Sequence, residues 1–117
     1  MIDRNIKKLA LFCAGVADEK KGNDILVMDI RSISTIADYF VIASGGSDKH
    51  VRAMADEIAT RSEEDLDQRL FHIQGMAEGQ WVVLDYVDVV VHLFTESARK
   101  YYNLDRLWGD AKVVKKA

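Results

Sequence analysis

The fold is decided by residues 81–94, which read WVVLDYVDVVVHLF. Two runs rich in β-branched and aromatic residues, Trp81–Tyr86 and Val89–Phe94, are separated by Val87 and Asp88. Such runs favour strands, and a two-residue connection favours an antiparallel hairpin. Tight hairpin turns require positive φ, which a β-branched residue resists. Val87 therefore predicts a bulged or longer turn.

Apolar spacing predicts the remaining elements. Residues 2–17 and 51–58 carry apolar residues at spacings of three and four, which is typical of amphipathic helices. Residues 25–30 and 39–43 are short apolar runs and predict strands covered on both faces. Residues 70–74 predict a further short strand, and a helical segment follows the hairpin.

This order predicts a single α/β domain over residues 1–109, with a mixed sheet of about five strands flanked by helices. Residues 110–117 contain three lysines, and their apolar residues, Ala and Val, are small, so the segment has little to bury. We therefore expect them to form a short, frayed basic tail.

Composition narrows the class of protein. The chain has 117 residues, 49% hydrophobic and 30% charged, which is typical of one soluble globular domain. No apolar run approaches the length of a membrane span, and no signal peptide is recognisable at the N-terminus. The single cysteine, Cys13, excludes an internal disulfide and lies on a helical apolar stripe, which predicts a buried, inert thiol. A cytoplasmic protein is the simplest interpretation.

The Gly-rich turn Ser44–Ser47 is the strongest candidate for a ligand site. Such a turn before a helix can cradle phosphate, as in nucleotidyltransferases, or can be a tight turn with Ser47 as helix cap. A transferase also needs paired carboxylates for magnesium. Asp85 and Asp88 are three apart and point to opposite faces of a regular strand. A nucleotide-binding enzyme remains the alternative hypothesis.

No other catalytic, metal or cofactor motif is evident. His50, His72 and His92 lack metal-ligand spacing, and no Gly-x-Ser-x-Gly motif is present. His92 alternates with Val91 and Leu93, which predicts an outward orientation and a place in a binding surface. We expect no catalytic residue, no metal and no cofactor.

Charge is unevenly distributed along the chain. Residues 70–98 contain no Lys or Arg but hold four carboxylates, and Trp81 and Tyr86 lie among them. Aromatic anchors among carboxylates suit a basic protein partner, although solvated acids at the ends of a core hairpin would give the same pattern.

Several motifs together resemble the ribosomal silencing factor family, also called Iojap-like or YbeB-like proteins. They span nearly the whole chain in consistent order and spacing. The motifs are residues 37–45 (ADYFVIASG), Ser47, residues 50–51 (HV), residues 81–86 (WVVLDY), residues 88–92 (DVVVH), Phe94, Arg99, Tyr102, Leu104 and residues 107–108 (LW).

The resemblance implies an α/β domain related in fold to nucleotidyltransferases, without their activity. It implies a cytoplasmic, non-enzymatic factor that docks on ribosomal protein L fourteen of the large ribosomal subunit. The bound factor would sterically block joining of the small subunit and repress translation when nutrients are short. It also implies a homodimer when free. The residues themselves predict no membrane partner, and the mildly acidic body predicts no nucleic-acid binding, which leaves contact of the basic tail with ribosomal RNA open.

Carried over by position, the resemblance also implies a set of partner-binding residues. The hairpin and the C-terminal segment supply them, and the hairpin acids suggest Glu96 as a further member. They are Trp81, Asp85, Tyr86, Asp88, His92, Glu96, Arg99, Tyr102, Leu107 and Trp108.

The chain departs from the family pattern in two places. The family usually has glycine where this chain has Val87, which puts the hairpin turn in doubt. It also usually has a proline shortly before the third strand and Glu-Gly after it. This chain has no proline, and Gln74-Gly75 replaces the acid-glycine pair.

Overall fold

The computed structural model describes residues 2–116, and the side chains from residue 5 onward. The order of helices and strands follows the apolar spacing, with one additional strand at the C-terminal end. The elements are α1 (Ile2–Glu19), β1 (Asn23–Asp29), β2 (Tyr39–Gly45), α2 (Asp48–Leu66), β3 (His72–Gln74), β4 (Trp81–Asp85), β5 (Val89–Thr95), α3 (Glu96–Tyr102), α4 (Leu104–Leu107) and β6 (Lys112–Lys116).

The strands form one mixed sheet in the order β3-β4-β5-β2-β1-β6. The hairpin β4–β5 is antiparallel, as predicted, with Trp81 opposite Phe94. β2 and β5 are parallel and form the centre of the sheet, and the remaining neighbours are antiparallel. The predicted α/β domain with a mixed sheet is confirmed, with six strands instead of about five.

The two faces of the sheet are covered differently. On one face, α1 and α2 pack against a core that includes Val41, Leu84 and Leu93. On the other face, the short helices α3 and α4 cover a smaller cluster that contains Phe40 and Phe94. Because the second cover is small, part of that face stays accessible.

The sixth strand comes from the segment expected to be a frayed tail, and that prediction is wrong for Lys112–Lys116. These residues pair antiparallel with β1, with Lys112 opposite Asp29 and Lys116 opposite Leu26. Val114 packs against the core beneath α1 and α2. The free edge of β1 offers unpaired backbone groups, so the segment needs little apolar surface to be ordered. Ala117 lies outside the described residues.

The connection between β4 and β5 has three residues, 86–88, and is strained at Val87, whose φ is +76°. The amide of Asp88 donates to the carbonyl of Tyr86 at 3.0 Å, which closes the rare γ-turn with a positive central φ. A carboxylate oxygen of Asp85 accepts from the amide of Val87 at 2.7 Å. The predicted conflict at Val87 is therefore real: the connection is one residue longer than the two predicted, and Val87 within it has a strained positive φ.

Replacing Val87 with glycine should stabilise the protein. Strain of this kind costs about 1–3 kcal/mol, and glycine removes it. Glycine also makes the unfolded chain more flexible, which lowers stability by about 0.5–1 kcal/mol. Val87 is 53% exposed, so little packing is lost. We expect Val87→Gly to raise the free energy of unfolding by about 1 kcal/mol in urea denaturation.

Val87→Ala is the matched control, because alanine keeps the Cβ that opposes positive φ. The explanation by strain fails if alanine stabilises the protein as much as glycine does.

Candidate interaction surface

The incomplete cover by α3 and α4 leaves one part of the sheet accessible. On β4, Trp81, Val83 and Asp85 share a face and are each half-buried. On β3, His72 is opposite Asp85 and Gln74 is opposite Val83, so their exposed side chains lie on the same face. We call these five side chains, His72, Gln74, Trp81, Val83 and Asp85, the open face.

Trp81 connects the open face with the core. Its ring stacks on buried Phe94, with centroids 5.0 Å apart, and lies 4.7 Å from the ring of Tyr102. Its Nε1–H donates to Nδ1 of His92 at 3.2 Å. These contacts fix the orientation of the indole, while part of its surface remains accessible. A large aromatic ring held in this way is typical of an anchor in a protein interface.

His92 lies beneath this surface, and the predicted outward orientation is wrong. The side chain is 7% exposed, and its ring packs edge-on against Phe40 at 4.7 Å. Alternation fails as a guide here because both faces of β5 are covered. Since Nδ1 accepts from Trp81, the neutral ring carries its proton on Nε2, which is buried without a hydrogen-bond partner among the described residues. Burial lowers the pKa of His92 to about 4.

Helices α3 and α4 form the C-terminal cover of the sheet, and Arg99 on α3 holds this cover in place. We call its set of hydrogen bonds the Arg99 clasp. Its guanidinium makes a two-pronged pair with Asp105, at 2.7 and 3.2 Å. It also donates to Oγ of Ser44 at 2.9 Å and to the carbonyl of Asp24. Burial alone would raise the pKa of Asp105, but the hydrogen bonds and charge of Arg99 outweigh it and the pKa is lowered. Arg99 thus ties α3 to α4 and to the ends of β1 and β2.

The structure brings some of the other sequence-predicted residues to the open face and separates others. Tyr102 is 52% exposed and borders Trp81. Asp88 is exposed in the hairpin turn just after Asp85. Tyr86 lies on the opposite face, buried, with its hydroxyl 2.6 Å from Oγ of Ser62 on α2. Glu96 follows β5 at the end of the sheet away from Asp85 and Asp88, where it accepts from Asn23 on β1 at 3.1 Å.

The two remaining predicted residues lie on α4 and directly after it. Leu107 is 74% exposed. Trp108 is half-buried and packs edge-on against Phe40 at 5.0 Å. Phe40 also contacts His92, so Trp108 is linked to Trp81 through two buried rings. Trp108 therefore extends the aromatic packing from Trp81 on β4 to the far side of Phe40 on β2.

Three residues of the open face were not predicted as partner-binding from the sequence, namely Val83, His72 and Gln74. Val83 was indicated by alternation, because it lies two residues from both Trp81 and Asp85. His72 and Gln74 depend on the pairing of β3 with β4, which no local pattern specifies.

Polar groups of the Gly-rich turn Ser44–Ser47 are hydrogen-bonded to the first turn of α2. Oγ of Ser47 accepts from the amide of His50, which confirms Ser47 as the helix cap. The amide of Gly46 donates to Nδ1 of His50 at 3.0 Å. A Cβ on Gly45 would lie 3.0–3.2 Å from side-chain atoms of Met54, Val51 and His50, so a larger residue would force these neighbours to shift by a few tenths of an ångström. Within residues 2–116, no group of three or more His, Cys, Asp or Glu is placed to hold a metal ion.

Comparison with known proteins identifies the family. Residues 3–117 match the family model described as ribosomal silencing factor during starvation, RsfS. A ribosomal silencing factor of Bacillus subtilis is 45% identical over 110 residues, which cover 94% of this chain and 92% of that protein. The chain belongs to the ribosomal silencing factor family. The family resemblance predicted from the motifs is therefore confirmed.

Other ribosomal silencing factor relatives agree in sequence and in fold. An Iojap-related mitochondrial protein of Arabidopsis thaliana is 35% identical over 93 residues, which cover 76% of this chain and 50% of that protein. A crystal structure of a protein from Chromobacterium violaceum superposes with a TM-score of 0.81 at 30% identity, covering 91% of this chain and 85% of that one. No helix in the described part of the chain is long and apolar enough to cross a membrane.

The buried His92 should make stability depend on pH. Between pH 6.5 and about 4, the unfolded chain takes up a proton at His92 and the folded chain does not. The free energy of unfolding therefore falls with pH in this window, by about 2 kcal/mol at pH 5 from this residue. We expect the free energy of unfolding of His92→Phe to fall less between pH 7 and pH 5 than that of wild type. The difference between the two falls should be about 2 kcal/mol in urea denaturation.

The exposed His72 provides the control for this experiment. We expect His72→Gln to keep the pH dependence of wild type. Equal pH dependence in wild type and His92→Phe would contradict the assignment to His92.

Loss of the Arg99 clasp should destabilise the protein strongly. Lysine keeps the charge but cannot reproduce the two-pronged pair and the bonds to Ser44 and Asp24. We expect Arg99→Lys to lower the free energy of unfolding by about 2–3 kcal/mol. Arg52→Lys, which alters a more exposed pair with Asp48, should cost less than about 0.5 kcal/mol. Similar losses in both variants would show that Arg99 is only a surface charge.

Proposed function

We propose that this chain binds the large ribosomal subunit through ribosomal protein L fourteen and uses the open face to do so. The main observation behind this proposal is that the open face presents a fixed Trp81 and the carboxylate of Asp85. Both lie within residues 70–98, which contain no Lys or Arg. Ribosomal proteins are generally basic, so their cations complement this surface. Membership of the ribosomal silencing factor family supports the ribosome as the partner.

In this proposal Trp81, Val83 and Tyr102 make the apolar contacts, while Asp85 and Asp88 pair with cations of the partner. His92 acts through Trp81, because it is buried behind the indole. Exposed Leu107 extends the surface, and Arg99 and Trp108 hold the cover in place. Tyr86 and Glu96 lie elsewhere, and we leave them outside the contact.

The mechanism needs no catalysis, and we propose that the protein is not an enzyme. The folded chain measures about 37 × 33 × 23 Å. A body of this size on the joining face of the large subunit occupies volume that the small subunit requires. The two binding events are then mutually exclusive, which lowers translation during starvation. We also propose a cytoplasmic location and a homodimer in the free state, as the family resemblance implies.

Variants of the open face should lose binding to large subunits. Truncation of a central aromatic anchor costs about 2 kcal/mol, so we expect Trp81→Ala to weaken binding roughly thirtyfold in a sedimentation assay. Asp85→Lys should have a comparable effect, because it places a cation against a basic partner. With small subunits added, wild type should reduce the amount of joined particles and both variants should not.

Asp56→Lys is the matched control, because it makes the same charge change at an exposed position on α2. We expect it to bind as wild type does. Thermal unfolding of each variant separates lost contact from lost folding. Undiminished binding by folded Trp81→Ala and Asp85→Lys would refute the open face as the docking surface.

A further inference from the structure

The C-terminal segment carries the opposite charge to the hairpin. Residues 70–98 hold four carboxylates and no Lys or Arg, whereas residues 99–116 hold six Lys and Arg against two Asp. The sheet order places β3, β4 and β5 at one side and β6 at the far edge. At about 4.8 Å between neighbouring strands, β3 and β6 lie roughly 24 Å apart. Glu96 is the exception among these carboxylates, because it accepts from Asn23 on β1, whereas Glu78, Asp85 and Asp88 lie on β4 or in the loops beside it. The molecule therefore has a side around β3 and β4 with three carboxylates, which we call the acidic edge, and a basic edge at β6.

The basic edge is formed by Lys112, Lys115 and Lys116, whose side chains are all exposed. Along an extended strand, the first and the last of these residues lie about 13 Å apart. Lys112 is near Asp29, but the hydrogen bond from Arg31 is the main cause of the lowered pKa of that carboxyl. Asp29 makes its ion pair with Arg31, at 2.7 Å, and the side chain of Lys112 is exposed, which leaves its charge accessible to a partner.

Two roles fit lysines on an edge strand. They can prevent the edge from pairing with another sheet, or they can bind an anion. A protein partner would need an apolar or aromatic anchor as well, and β6 offers only half-exposed Val113. A row of cations without an anchor suits a phosphate backbone, where charge neutralisation supplies most of the affinity.

We infer that the β6 edge, Lys112, Lys115 and Lys116, contacts phosphates of ribosomal RNA while the open face holds the ribosomal protein. The inference rests on the proposed function, because it assigns a second contact to the same docked molecule. The acidic edge avoids RNA and selects a basic protein, whereas the basic edge does the reverse. Opposite charges at the two edges thus favour one orientation of the bound factor.

The test compares two triple variants of the full chain for binding to purified large subunits and to isolated ribosomal protein L fourteen. The edge variant carries Lys112→Gln, Lys115→Gln and Lys116→Gln. The control variant carries Lys7→Gln, Lys8→Gln and Lys49→Gln, which removes the same charge from exposed positions on α1 and α2. Affinity is measured between about 50 and 200 mM monovalent salt.

We expect the edge variant to bind subunits about tenfold more weakly at the lower salt concentration, with a log–log salt slope reduced by about 2–3. Its binding to the isolated protein should equal that of wild type, and the control variant should bind both partners almost as wild type does. If both variants lost the same affinity for subunits, the effect would depend only on net charge, and this would overturn the inference.

An edge variant that binds subunits as wild type does would show that the lysines only guard the edge, which also overturns the inference. A loss of binding to the isolated protein as large as the loss to subunits would overturn it as well, because the lysines would then act on the protein. Failure of wild type to bind subunits at all would refute the proposed function itself. The two failures are therefore distinguishable.

Discussion

The central pair of parallel strands sets the constraint on which the rest of the structure depends. Every residue of β2 and β5 is buried, so both faces of this pair must be covered. Helices α1 and α2 cover one face. On the other face, only α3, α4 and the residues around Trp108 are available, and Arg99 holds them against the ends of β1 and β2. This cover ends at β5 and leaves β4 half-buried, which creates the open face.

Trp81 belongs to the core and to the surface at the same time. Its packing on Phe94 and its bond to His92 are made before any partner arrives. A side chain that is already fixed loses little rotamer freedom when it is bound, so less of the contact energy is spent on ordering it. The aromatic packing that stabilises the thin C-terminal cover therefore also prepares the surface for binding.

The sequence predicted what depends on local pattern. The hairpin, the amphipathic helices, the strain at Val87 and the cap at Ser47 follow from spacing and residue type, and the structure contains all of them. The features it missed depend on distant partners. Strand β6 forms because β1 has a free edge more than 80 residues earlier in the chain. His92 is buried because Trp81 and Phe40 cover it.

The candidate site was predicted only in part, for the same reason. Trp81 and Asp85 share a face because they are an even number of residues apart, which is legible in the sequence. Tyr86 is their immediate neighbour and lies on the other face, bonded to Ser62. Arg99 matches a family motif, but its use as a clasp depends on Asp105, Ser44 and Asp24 meeting at one point.

The late position of β6 in the chain has a consequence for how the protein is made. A nascent chain emerges from its N-terminus, so α3, α4 and β6 become available after strands β1 to β5. Until then, Phe40 and Phe94 lack their cover, and Tyr102 cannot border Trp81. The surface proposed to recognise a ribosome is therefore completed later in synthesis than the sheet beneath it, once the C-terminal elements have joined that sheet.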